Sequence, residues 1–114
     1  MSKVSKPELE VYNFLSKYFK VLYEQPIYVT DLEERPRVWS PDFYLPELGI
    51  YIEVCGAERY KDYVYRKKVY SKNLIPVIFV ETYKYHPNQW KKYIFIGIMD
   101  KHKERDMLLQ EFIR

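Results

Sequence analysis

The residues best equipped for chemistry lie in one short stretch, SPDFYLPELGIYIEVCG, from Ser40 to Gly56. Two acids, Asp42 and Glu53, interrupt runs that are otherwise apolar or aromatic, and Cys55 follows the second acid by two positions. Strand side chains alternate in facing. Asp42 therefore shares a face with Tyr44, and Glu53 shares one with Tyr51 and Cys55. With a turn at Pro46 to Gly49, Leu45 pairs with Ile50, Phe43 with Ile52, and Asp42 with Glu53. Two carboxylates then stand about 5 Å apart at Cβ, where like charges destabilise a sheet. A divalent cation between them removes that penalty, and Mg²⁺ favours oxygen ligands of this type. A register slip of one residue would send Glu53 to the core face, against the apolar pattern. The plainer alternative is a solvated strand face carrying two unrelated acids.

Cys55 reads as a small buried filler, since no histidine is placed to activate it. His86 and His102 do not complete a zinc-spaced set with it. A third acid, Glu8, opens the first helix, where it completes a capping box with Ser5 and can also reach this sheet face.

The elements that must position these residues follow from periodicity. Ser5-Lys6-Pro7-Glu8 is a helix start, and Leu9, Val11, Tyr12, Leu15, Tyr18, Phe19 and Leu22 continue with helical spacing. Strands are expected over Val21–Thr30, Val38–Leu45 and Ile50–Cys55, then a helix over Glu58–Asn73. LIPVIFVE reads as a buried central strand and YIFIGIM as a further strand. YKYHPNQWKK reads as a loop or short helical turn. The tail from Asp100 to Arg114 places Leu108, Leu109, Phe112 and Ile113 on one helical face. A helix joining the third and fourth strands makes that pair parallel, whereas the preceding meander is antiparallel. The fold class is therefore α/β, a mixed sheet flanked by helices in a single domain over residues 1–114.

The 114 residues hold no apolar run long enough for a membrane span, no apolar secretion segment near the N-terminus and one cysteine. These features point to the cytoplasm and away from membranes. Thirteen tyrosines, many Lys, Glu, Ile and Val, and few Asn and Gln fit a thermophile. The net charge of +3 is compatible with nucleic acid.

Pro41-Asp42-Phe43 followed by Glu53-Val54-Cys55-Gly56 resembles the PD-(D/E)xK nuclease superfamily, the restriction-endonuclease-like fold. Glu8, Tyr23-Glu24 and YVYRKKVYSKNLIPVIFVE support the resemblance, which spans about Ser5 to Glu81. The order of elements matches the superfamily's αβββαβ core. The resemblance implies Mg²⁺-dependent hydrolysis of phosphodiester bonds in DNA, with Mn²⁺ as a substitute and branched or damaged DNA as the substrate form. It implies Asp42, Glu53 and the Val54 carbonyl as metal ligands and Glu8 as an outer or second-metal carboxylate. It also implies a homodimer, so that each subunit cuts one strand.

The chain departs from that pattern where the E-x-K lysine stands, because the residue is Cys55. A neutral thiol cannot replace an ammonium, and its soft sulfur is a poor Mg²⁺ ligand. At about 100° per residue, Tyr60, Tyr63, Val64, Lys67, Tyr70, Ser71 and Leu74 form one stripe of the next helix. Lys67 lies near its centre and Lys68 at its edge, which makes Lys67 the first candidate for a migrated catalytic lysine and Lys68 the second. A dead or altered site is the alternative. Arg59, Lys61, Arg66 and Lys72, interleaved with tyrosines, are the candidate nucleic-acid contacts, and Lys84, Lys91 and Lys92 near Trp90 extend them. Two other readings stand beside the nuclease: a catalytically weak relative that binds nucleic acid or a protein, and an unrelated α/β interaction protein.

Overall fold

A computed structural model of the chain describes residues 5–57 and 60–113. Helix α1 (Lys6–Leu15) starts at the expected cap. Ser5 is in extended backbone, its hydroxyl oxygen accepts the Glu8 N–H at 3.3 Å, and its O–H donates to the Glu8 carboxylate at 3.1 Å. Such a cap is worth about 1 kcal/mol. Val11, Phe14 and Leu15 form the helix's buried stripe.

Two expected strands are each broken in two. Val21–Thr30 divides into β1 (Leu22–Tyr23) and β2 (Ile27–Thr30), because Glu24 turns the chain at φ 44° and Pro26 lacks a ladder donor. Val38–Leu45 divides into β3 (Pro36–Trp39) and β4 (Phe43–Leu45) around Pro41. Then come β5 (Ile50–Cys55), α2 (Tyr60–Lys72), β6 (Val77–Glu81) and α3 (Pro87–Ile113). The main sheet runs in the order β1-β4-β5-β6, antiparallel except for the parallel pair β5–β6. Its elements follow the expected αβββαβ order, with the antiparallel β2–β3 hairpin inserted after β1. The result is an α/β fold with a mixed sheet and three helices.

The two faces of the sheet have different covers. Phe43, Leu45, Ile50, Ile52, Ile78 and Val80 pack beneath α1 and α3. On the other face, Tyr51, Val77 and Phe79 pack with Val69 and Tyr70 of α2 and Val29 and Trp39 of the hairpin. Asn73 ties the hairpin to the end of α2: its amide donates to the Thr30 carbonyl and accepts the Thr30 N–H, both at 2.9 Å.

The largest correction concerns YIFIGIM, which is the middle of α3 rather than a strand. Its β-branched and aromatic residues imitate a strand. The pattern that governs is longer: Trp90, Ile94 and Ile98 recur every fourth residue and are buried. Gly97 allows the close approach, since a Cβ there would lie 3.2 Å from the Ile78 side chain. Beyond Ile98 the helix keeps its apolar residues, Leu108, Leu109, Phe112 and Ile113 among them, exposed. Strand β6 is consequently an outer strand of the sheet. No helix among the described residues is long and apolar enough to cross a membrane.

Candidate metal-binding carboxylate site

The hairpin has the expected register, Phe43 opposite Ile52 and Leu45 opposite Ile50. The Leu48 and Gly49 N–H groups both donate to the Leu45 carbonyl, at 3.1 and 2.8 Å. Gly49 takes φ +67°, a conformation that glycine adopts without steric cost. Asp42 stands just before β4 and Glu53 within β5, so the turn chemistry brings the two acids to neighbouring positions.

Local hydrogen bonding explains why an aspartate stands at position 42. The Tyr51 N–H donates to the Pro76 carbonyl, so Tyr51, Glu53 and Cys55 bond towards β6, and Ile50, Ile52 and Val54 bond towards β4. The residue that would pair with Val54 is Pro41, which has no N–H to give the Val54 carbonyl. The other half of that pair is taken by Asp42, whose carboxylate accepts the Val54 N–H at 2.7 Å. The Val54 carbonyl points the same way and has no donor on Pro41, so it is available as an oxygen donor beside Asp42.

Glu53 is buried, with 6% of its surface exposed. Burial, and then the neighbouring Asp42 carboxyl, push its acid up to about 8. The opposing influence is Arg66, whose Nη1 lies 3.1 Å from Glu53 Oε2. Glu8 arrives because α1 starts against Gly56, where a Cβ would be 3.2 Å from the Pro7 ring. The Glu8 carboxyl is also raised, by burial, then by the charge of Asp42 and more weakly that of Glu24, while Ser5 opposes the shift. Glu24 donates its N–H to the Asp42 carbonyl at 3.1 Å. Sequence reasoning gave Glu24 no role in the site. The signal was Pro26, which ends β1 close to Asp42.

The donor set suits a hard divalent cation, with two carboxylates and a free carbonyl, all oxygen. Glu8 feels Asp42 electrostatically but does not close a triad: among the described residues no three His, Cys, Asp or Glu side chains gather to hold one ion. Cys55 is fully buried and its thiol is pushed up to about 12, first by burial and then by Glu53 and Glu81. It is protonated and inert at neutral pH.

The cation at Glu53 comes from the next helix, and it is Arg66. Among the described side chains of α2, Val69 and Tyr70 are buried, and Asn73 reaches the hairpin, so the inward face centres about 100° away from the stripe through Lys67. Val69, apolar and outside that stripe, was the available signal. Lys67 sits at the border of this face with its Nζ 5.2 Å from the Phe79 ring centroid, and Lys68 is exposed.

The candidate nucleic-acid contacts scatter. Lys61 is exposed near the start of α2, and Arg66 turns to Glu53. Lys72 donates to the Asp31 carbonyl at 2.8 Å and to Glu34 at 2.6 Å, so it braces the hairpin. Arg59 lies outside the described residues. Three tyrosine rings of α2 are engaged in packing: Tyr63 meets Phe79, and Tyr65 and Tyr70 meet Trp39. Trp90 is in the core, with Lys91 over its ring and that of Phe14, on the sheet face opposite α2. Among known proteins, no family model and no curated sequence matches the chain.

Proposed function

We propose that this protein is a divalent-metal-dependent phosphodiesterase acting on nucleic acid, a DNA endonuclease of the PD-(D/E)xK kind. The observation that carries this reading is a buried carboxylate, Glu53, kept beside a second one, Asp42, with a carbonyl turned to the same spot. A fold seldom retains such repulsion without a use. A bound Mg²⁺ or Mn²⁺ would supply Lewis-acid polarisation of the scissile phosphate and a more acidic attacking water.

The chain's own residues do the rest. Asp42, locked by the Val54 N–H, and Glu53 would hold the ion, and Glu8 would hold water at the rim. Arg66 takes the part the superfamily gives to its lysine. Once an ion neutralises Glu53, the guanidinium is free to pair with a phosphate oxygen and offset charge developing there. Exposed Lys61 and Lys68 on the same helix would contact the backbone of the nucleic acid.

The test is cleavage of supercoiled plasmid and four-way-branched DNA in Mg²⁺ or Mn²⁺. Asp42→Ala and Glu53→Gln should abolish cutting, and Arg66→Gln should slow it by about 10²-fold. Lys67→Ala and Lys68→Ala should slow it less. Cleavage that survives both carboxylate changes would overturn the reading. Cys55 in the place of the lysine favours a second reading, a non-cutting protein that binds nucleic acid. DNA binding with no cleavage in either metal would establish it.

A further inference from the structure

Among the described residues, strand β6 has β5 on one side and no strand on the other. The parallel ladder shows which of its peptide groups are used. Tyr51 donates to Pro76 and is in register with Val77, and Glu53 is in register with Phe79. Ile78 and Val80 therefore turn their N–H and C=O groups towards β5, and Val77 and Phe79 turn theirs outward. Among the described residues, neither Val77 nor Phe79 has a hydrogen-bond partner on that outer side.

The helices on the two faces do not close over this edge. A cavity of about 320 Å³ lies against Val77 and Phe79, between Lys67 and Tyr70 of α2 and Lys101 of α3. A second, of about 260 Å³, continues from Phe79 to Glu81 beneath Tyr93 of α3. Phe79 lines both. The first cavity is flanked by the ammonium groups of Lys67 and Lys101, the latter 3.5 Å from the exposed Glu104 carboxylate, while Glu81 lines the second.

We propose that the free edge of β6 is a docking groove for an extended acidic polypeptide segment, taken up as an added strand. A peptide offers alternating donors and acceptors at the spacing that outward-facing Val77 and Phe79 present. A phosphate backbone offers acceptors alone and would leave the two carbonyls unmatched. The charges define the sequence the groove takes. Lys67 belongs to the helix on one sheet face and Lys101 to the helix on the other. Because strand side chains alternate, two adjacent acids in the guest strand would each meet one lysine. The proposal rests on neither the carboxylate pair nor the nuclease reading.

The probe is a fluorescein-labelled octapeptide in which threonine and valine alternate around a central Glu-Glu pair. Three results are expected. In the free protein the Val77 and Phe79 amides exchange with deuterium faster than those of Ile78 and Val80, and the peptide slows them at least tenfold. The Lys67→Glu, Lys101→Glu double variant binds the peptide about tenfold more weakly by fluorescence anisotropy. Val77→Pro, which removes an outward N–H and leaves the ladder to β5 intact, loses binding while keeping its circular dichroism spectrum. Slow exchange at Val77 and Phe79 in the free protein would overturn the proposal, as would no binding at about 1 mM peptide. So would protection of those amides by a single-stranded oligonucleotide instead. Self-association of the charge-reversed variant in sedimentation would assign the lysines to guarding the edge and would equally overturn it.

Discussion

Replacing Glu53 with glutamine should stabilise the protein by an amount that grows with pH. The folded carboxyl holds its proton up to about pH 8, whereas the unfolded chain releases it near 4.5. Between those values the folded state binds more protons than the unfolded state, so wild-type stability falls as pH rises. Each pH unit in that window costs about 1.4 kcal/mol, which sets a ceiling of about 5 kcal/mol. That ceiling already includes the opposing charge of Arg66, and water relaxing around a buried carboxylate lowers it further, so about 2–3 kcal/mol is the expected cost. Glutamine keeps the shape, accepts from Arg66 and donates to Asp42. Urea unfolding at a series of pH values should show the two proteins equal near about pH 5 and Glu53→Gln ahead by about 2–3 kcal/mol near about pH 9. Parallel curves would refute the repulsion. Mg²⁺ should narrow the gap by stabilising the wild type alone, through mass action. A gap that Mg²⁺ leaves untouched would keep the strained pair and remove the metal from it.

Three other perturbations probe features around the site. Gly97→Ala puts a methyl against Ile78 and should cost about 1–3 kcal/mol in urea unfolding, with α3 displaced from β6. Leu74→Gly should gain about 0.5–1 kcal/mol by the same measurement: Leu74 sits at φ 57° just after α2, where Ile75 N–H closes the helix onto the Tyr70 carbonyl. The Asp31 carboxylate accepts the Glu33 and Arg35 N–H groups as well as the Arg35 and Arg37 side chains, and these bonds hold it down at about 2. Because its folded value lies below the unfolded 3.8, its contribution is present above 3.8 and lost as pH falls through about 2. Asp31→Asn should lower the melting temperature at neutral pH and flatten the acid limb of the melting profile.

The parts of this fold that were legible in the sequence are encoded by neighbouring residues. The β4–β5 register follows from a four-residue turn and strict alternation, and the α1 start from Ser5 and Glu8. Both survive folding because no distant contact competes with them. The breaks at Glu24–Pro26 and Ser40–Asp42 were obscured by the apolar and aromatic residues on both sides of each, although the prolines announced them. Tyr93–Met99 was misread because a run of β-branched and aromatic residues suits either period, and only burial of Trp90, Ile94 and Ile98 decides. The same limit applies to α2. Four tyrosines and many lysines gave it a weak amphipathic pattern, and the partner that rotates it is the β2–β3 hairpin, whose role depends on Asn73 meeting Thr30 from far along the chain. Arg66 reaches Glu53 as a result of that rotation.

That hairpin leaves the sheet after Tyr23 and returns at Asp42, and a hydrogen bond from the Glu24 N–H to the Asp42 carbonyl joins the two ends. The intervening chain is a closed detour, and its departure and arrival points are fixed whatever lies between them. Changes at its tip, from Leu32 to Glu34, act on the detour's own bonds, the Glu33 N–H to Asp31 and Lys72 to Glu34, rather than on the strands that flank the acids. The detour is also a roof, since Trp39 lies edge-on to Tyr70 at 5.4 Å, and the Tyr70 phenol is raised first by its burial and then by the charge of Glu53. Lineages that vary this detour can therefore adjust how dry the ground above Glu53 is while the carboxylates stay in place.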